Sequence, residues 1–250
     1  MGKLNVGTIG WSYNFWKGNF YPSKIASKDF LAYYSTKFNT VEVDNTFYRI
    51  PNQQTMTNWK KQTPKGFLFS LKFPQVITHI KMLRDCQDET NAFLGKVALL
   101  KEKLGCLLLQ FPPAFGNGVL PLLKVFLRDL PREHRYVVEV RNKKLLNNDF
   151  YSLLKEYNVV LAWVDSSQMP QIDEVTSDFV YVRWEGDRRK VKGTLGKIEA
   201  DRGGDLRLWA DKIKPFVSKQ AEVFGYFGKY YSGYPPSDVN LLLSLLASDY

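Results

Sequence analysis

"TVEVDNTFYR", residues 40–49, decides how the rest of the chain is read. Val41 and Val43 alternate with Glu42 and Asp44, and successive side chains of a strand point to opposite faces. One face is therefore built for apolar surroundings. The acidic face must meet water, a lumen or a site, because a buried unpaired charge costs several kcal/mol.

Working outward, comparable apolar runs occur at 4–10, 67–73, 106–111, 136–140, 159–164, 179–184 and 222–227. With 40–44 they make eight candidate strands. Helical periodicity fills most of the gaps: Asp29 to Phe38, Asp88 to Leu104, Val119 to Leu130, Asp149 to Tyr157, Gly204 to Val217 and Ser237 to Leu246. Strand and helix alternate across 250 residues with no linker-like interruption. This pattern predicts an α/β chain folded as one (β/α)₈ TIM barrel over residues 1–250, with an open doubly wound sheet as the alternative. Two places depart from regularity. The sixth-to-seventh connection, "DSSQMPQIDEVTS" (165–177), has room for one helical turn, and the stretch from Glu185 to Gly204 is long, charged and Gly-rich.

Composition narrows the class. Hydrophobic residues at 44% and aromatics at 15% suit a packed core and exclude a mostly disordered chain. The longest apolar stretches fall short of a membrane span, and the N-terminal residues lack a signal-peptide pattern, so a cytoplasmic protein without membrane contact is expected. Cys86 and Cys106 stand apart, with no partner at zinc-ligand spacing. A formal net charge of +10 favours anionic partners, or serves solubility alone.

In a barrel, alternate strand residues face the lumen, and those near strand C-termini floor the site. Parity sends Glu42, Asp44, Glu139 and Arg141 inward, with Ser70, Lys72, Gln110, Trp163, Asp165, Tyr181, Arg183, Glu185 and Tyr226. Such a collection survives either as ion pairs closing the barrel top or as the lining of a wet pocket. Glu42 and Glu139 suit a general acid and base, or hard-oxygen ligands for one divalent cation such as Mg²⁺ or Mn²⁺. Arg141 and Arg183 offer planar forks for a phosphate, and Lys72 a point charge beside it.

Only His79 and His134 are present, which excludes a multi-zinc centre built from imidazoles. His79 follows the third strand on the mouth side, as a proton shuttle or lone ligand; His134 lies at the opposite end. Four basic residues, Arg188, Arg189, Lys190 and Lys192, sit in "GDRRKVKGTLG" (186–196) after the seventh strand, a location where such barrels bind phosphate. A solvated flap is the plainer reading. There is no Walker-type loop or dinucleotide fingerprint. Aromatics crowd 10–22 and 228–236. They either pack over the mouth or, interleaved with Lys17, Lys24 and Lys229, stack a base or sugar.

"GTIGWSYNFWKGNFYP", "TVEVDNTFYRIP", "FLFSLKFPQVITH", "LGCLLLQFPPAF" and "VVEVR", in this order, resemble the domain-of-unknown-function 72 family of TIM-barrel proteins. The resemblance implies a barrel similar to the xylose isomerase and endonuclease IV-like superfamily, with DNA binding or metal-dependent phosphodiester cleavage as suggested activities. The family's recurring positions fall on Gly10, Trp11, Tyr13, Trp16, Tyr21, Glu42, Asn45, Phe47, Tyr48, Lys72, His79, Gln110, Pro112, Glu139, Arg141 and Arg183. One departure is at the eighth strand. Members usually carry "FNN" there, whereas this chain reads "YFGKYYSGYPPSD" (226–238), which passes any role of those asparagines to Lys229 or Tyr230.

The leading expectation is a hydrolase acting on a phosphate-bearing substrate such as nucleic acid. Its catalytic groups would be Glu42, Glu139, Lys72, His79 and Asp165, and its substrate would be held by Arg141, Arg183, Gln110, Trp11, Tyr13, Tyr48, Tyr226, Arg188 and Arg189. The alternatives are a non-catalytic nucleic-acid-binding protein and an isomerase or lyase for a small sugar phosphate.

Overall fold

A computed structural model, which describes residues 3–247, contains nine strand segments and seven α-helices. The strands are β1 (Leu4–Ile9), β2 (Thr40–Val43), β3 (Leu68–Lys72), β4 (Leu104–Gln110), β5 (Arg135–Glu139), β6 (Val160–Leu161), β7 (Trp163–Ser166), β8 (Phe179–Gly186) and β9 (Glu222–Phe227). The helices are α1 (Phe30–Tyr34), α2 (Gln53–Gln62), α3 (Gln87–Val97), α4 (Leu120–Asp129), α5 (Asn148–Glu156), α6 (Gly203–Ser218) and α7 (Pro235–Ala247). Residues 1, 2 and 248–250 of the expected domain lie outside the described range.

All neighbouring strands pair in parallel, in the order β6, β5, β4, β3, β2, β1, β9, β8, β7. The two terminal segments, β6 and β7, are halves of one run interrupted at Ala162. Its first half pairs with β5 and its second with β8, and the Ala162 amide donates to Val138 O at 2.9 Å. The sheet closes through this strand, so the fold is the expected TIM barrel. Both irregular connections are present: 167–178 contains no helix, and 187–202 runs as a long loop before α6.

Two apolar cores follow from strand alternation. Between barrel and helices lie Val41, Val43, Leu107, Leu109 and Val138, with Phe93, Leu123 and Leu154 from the helices. Inside the barrel lie Leu68, Cys106, Leu108, Val137, Val160, Phe179 and Phe224. Fully burying one such side chain is worth about 1.5–3 kcal/mol, so the lower lumen is a filled plug and the open space is confined to the strand C-termini.

One helix was not signalled. The stretch "QQTMTNWKKQ" that forms α2 buries only Met56 and Trp59 and shows little apolar stripe. Its start is set by Asn52, whose side chain accepts the Thr55 amide at 2.9 Å as an N-cap. Its end is held by the buried Lys103, whose ammonium donates to Lys60 O and Thr63 O at 2.7 and 2.6 Å.

Candidate functional site

A cavity of about 440 Å³ opens at the C-terminal ends of the strands. Its wall includes Tyr13, Asp44, Lys72, Gln110, Arg141, Arg183 and Glu185, then the flap residues Asp187, Arg188 and Arg189, and Lys229 and Tyr230 after β9. Six cations face three carboxylates in that wall.

Arg183 organises the floor. Its Nε and Nη2 donate to the two oxygens of Glu42 at 2.9 and 2.8 Å, while Nη1 donates to Glu139 and Glu185. Tyr181 donates its hydroxyl to Glu42 at 2.6 Å. Arg141 donates from Nε to Glu139 at 2.6 Å and from Nη2 to Glu185 at 2.5 Å, and Gln110 donates to Glu139 at 3.2 Å. Glu139, Arg141, Glu185 and Arg183 thus form a closed ring of alternating charge, with Glu42 attached beneath. β2, β5 and β8 each carry acidic or basic residues at their inward C-terminal positions, which is what the parity of "TVEVD" and "YVVEVR" implied.

The electrostatics divide the two buried glutamates. Burial raises the pKa of Glu139, but Arg183 and Arg141 more than offset it and hold the carboxyl at about 2. Burial dominates for Glu42, which shares one guanidinium, and pushes it above its ordinary value against Arg183 and Tyr181. All four carboxylate oxygens accept hydrogen bonds from these side chains, and neither glutamate lines the cavity. The two glutamates expected as acid and base are thus engaged with Arg183 and Arg141 beneath the cavity and hold those guanidiniums in place. The divalent cation expected between them does not fit, because every oxygen that would ligate it already meets a guanidinium, hydroxyl or amide donor. No group of three metal-ligating side chains occurs among the described residues.

Lys72 lies 3.1 Å from Asp44 and over the Phe47 ring at 4.1 Å. His79 sits on a π-turn, Val76–Ile80, and meets the same Phe47 ring edge-on at 4.8 Å with Nδ1 against Thr78 Oγ1. Partial burial, then Lys72 and Arg141, lower its pKa and favour the neutral imidazole. It stands beside the cavity but not in its wall.

Five other expectations are corrected. Asp165 faces the helices, accepting from Trp209 Nε1 at 2.8 Å and pairing with Arg202 at 3.4 Å. Trp163 likewise points outward, donating Nε1 to Glu174 O. Ala162 and Val164 take the inward positions, since this all-apolar strand offered no alternation from which to read its face. Tyr226 is fully buried one layer below the site, with its hydroxyl at 2.7 Å from Thr40 Oγ1 and 2.8 Å from Ser70 Oγ. Trp11 packs edge-on against Trp59 at 5.5 Å, and Tyr48, 72% exposed, sits against Phe47 away from the cavity wall.

The flap is fixed. The Cβ of any other residue at Gly186, where φ is +72°, would lie 2.1 Å from Tyr230 O, and Gly196 (φ +64°) abuts Phe15 O at 1.9 Å by the same measure. Glu199 accepts the Lys192 and Gly193 amides at 2.9 and 2.8 Å, and its own amide donates to Ser232 O at 2.7 Å. The flap thus locks onto the 228–233 loop and presents Arg188 and Arg189 to the cavity. Tyr13 joins the wall with its hydroxyl donated to Ile9 O at 2.8 Å. Ser166, Ser167 and Gln168 also line it, unanticipated; correct parity for the sixth strand would have found Ser166.

Fold and mouth together define a TIM-barrel protein with a cation-lined cavity over a buried arginine–glutamate lattice. The chain belongs to the family described as "Protein of unknown function DUF72", whose model matches residues 5–250. It is 40% identical over 112 residues to UPF0759 protein YecE of Escherichia coli K12, a match covering 45% of this chain and 41% of that protein. It is 31% identical over 185 residues to UPF0759 protein YunF of Bacillus subtilis, covering 68% and 62% respectively. The matches thus span less than two thirds of either relative. A DUF72 family crystal structure from Thermotoga maritima aligns with TM-score 0.79 at 24% identity, over 96% of this chain and 97% of that one. Another from Enterococcus faecalis aligns with TM-score 0.77 at 20% identity, over 98% of each; both share the fold.

Proposed function

We propose that the barrel mouth binds a small phosphate-bearing molecule. The observation that carries this reading is the wall itself: six cations converge on a cavity of about 440 Å³, within the roughly 300–1,000 Å³ of small-ligand sites. Arg141 and Arg183 are held rigid by buried glutamates, so their forks lose little freedom on binding an oxyanion.

The same geometry shifts the chemistry away from hydrolysis by Glu42 and Glu139. Asp44 and Lys72, 3.1 Å apart in the wall, are the pair placed for proton transfer, which suits an isomerase or lyase acting on a sugar phosphate. No helix among the described residues is long and apolar enough to cross a membrane, and both free thiols are buried, as suits the cytoplasm.

Calorimetric titration with a sugar phosphate, a mononucleotide and a single-stranded oligonucleotide tests the reading. A small phosphate should bind, and Lys72→Met or Arg141→Met should weaken it about tenfold or more, the loss of one charge-assisted contact. Binding of the oligonucleotide alone would favour the nucleic-acid-binding alternative, and no binding of any anion would refute the proposal.

A further inference from the structure

Glu185 differs from the other two acids of the lattice. Its side chain is 21% exposed, whereas those of Glu42 and Glu139 are 0% exposed. It lies in the cavity wall and bridges Arg141 and Arg183 from the solvent side. Without it, both guanidiniums stay anchored: Arg183 to Glu42 and Glu139, Arg141 to Glu139. A carboxylate between two such forks occupies a position that a phosphate fits by the same donor geometry.

Resting on the proposed phosphate site, we infer that Glu185 is an internal anion occupying the phosphate seat, and that the ligand displacing it is a phosphate monoester. The charge count selects the class. The wall carries six cations and three carboxylates, and Glu42 and Glu139 beneath bring the formal balance to one positive charge. Turning Glu185 out to water removes its charge from the seat and leaves two positive charges there. A monoester, close to a dianion above its second pKa of about 6, neutralises both. A phosphodiester carries one charge, so it only exchanges one monoanion for another. It must also compete with a carboxylate tethered at high effective concentration.

The experiment is calorimetric titration of the full chain with three probes: ribose 5-phosphate, adenosine 5′-monophosphate and a dinucleoside monophosphate as the diester. Each is run at pH 5.5 and 7.5 on the native protein, Glu185→Gln and Glu185→Ala. The native protein should prefer the monoesters, more strongly at pH 7.5. Whichever monoester binds tighter separates a sugar-phosphate from a nucleotide source. Glu185→Gln should tighten monoester binding about tenfold or more, since the competing charge-assisted contacts to Arg141 and Arg183 are gone, and should narrow the preference over the diester. Monoester binding that is unchanged or weakened in both folded variants overturns the inference and leaves the phosphate site standing. A native protein that binds the diester as well as the monoesters also overturns it, with no variant required. Failure of every probe on every protein overturns both readings.

Discussion

Two buried carboxylates of this protein, one in the barrel lumen and one in an outer helix, have pKa values shifted in opposite directions. Glu139, on the lumen face of β5, is held at about 2 by the two arginines that outweigh its burial. Asp238, in the first turn of α7, is pushed up to about 7 by burial, against a 2.5 Å hydrogen bond from Ser232 and a weaker pull from Arg202. Pro235 and Pro236 open that helix and remove two amide donors from its first turn. Glu42, with a share of one guanidinium, is also raised, because burial outweighs Arg183 and Tyr181. The contrast teaches that a hydroxyl, or part of one cation, does not offset burial in this protein, whereas two cations do. It also marks where charge is structural and where it is conditional.

The deepest way to break the comparison is to remove the cation. Arg183→Met leaves Glu42 and Glu139 buried without their shared partner, and should cost about 3–5 kcal/mol by urea unfolding. A loss below about 1 kcal/mol would show that the lattice contributes little to the fold. Glu139→Gln should cost somewhat less, about 2–4 kcal/mol, because Arg141 and Arg183 keep Glu185. Because its folded pKa is depressed, native Glu139 stabilises the protein above the unfolded carboxyl pKa, and this stabilisation is lost as pH falls towards about 2. The glutamine variant should therefore lose less stability than the native chain between pH 5 and 3; equal losses would contradict the depressed pKa.

Asp238→Asn sharpens the other arm. A raised folded pKa means that stability is fully present below the unfolded value and drains away as pH rises through about 7. Between pH 5 and 8 the asparagine variant should gain about 2–3 kcal/mol relative to the native protein. Denaturant midpoints at the two pH values would read this directly, and parallel shifts in both proteins would place the folded Asp238 pKa below this interval.

Legibility in the sequence followed alternation. β2, β5 and β8 place charged residues on alternate positions, so Glu42, Glu139 and Arg183 could be put in the lumen from residue order alone. Tyr181, Lys72 and Gln110 obeyed the same parity. The sixth strand did not reveal its face, because "VVLAWV" is apolar on both, and so Asp165 was turned the wrong way. Role was less legible than place. Whether Glu139 serves as a base or an anchor depends on two arginines, one only two residues away and the other 44 away on β8. That partnership is a property of barrel closure. The wall positions of Lys229 and Tyr230 depend similarly on how Gly186 lets β8 pass against the 228–233 loop.

The smallest effect on stability, and a clean one on binding, belongs to the flap. Arg189 pairs with Asp187 at 2.9 Å but is 75% exposed, and exposed pairs are worth about 0–1 kcal/mol. Replacing Arg188 and Arg189 together by Gln should therefore leave stability within about 0.5 kcal/mol of native. Both side chains nevertheless line the cavity, where two lost cations weaken attraction for an incoming anion that salt only partly screens. The double variant should bind a phosphate more slowly and show a flatter dependence of the association rate on ionic strength, with little change in dissociation. Stopped-flow association at several salt concentrations separates these outcomes. An unchanged association rate would assign phosphate capture to the fixed arginines of the floor alone, and a large loss of stability would show that the flap holds the barrel mouth together.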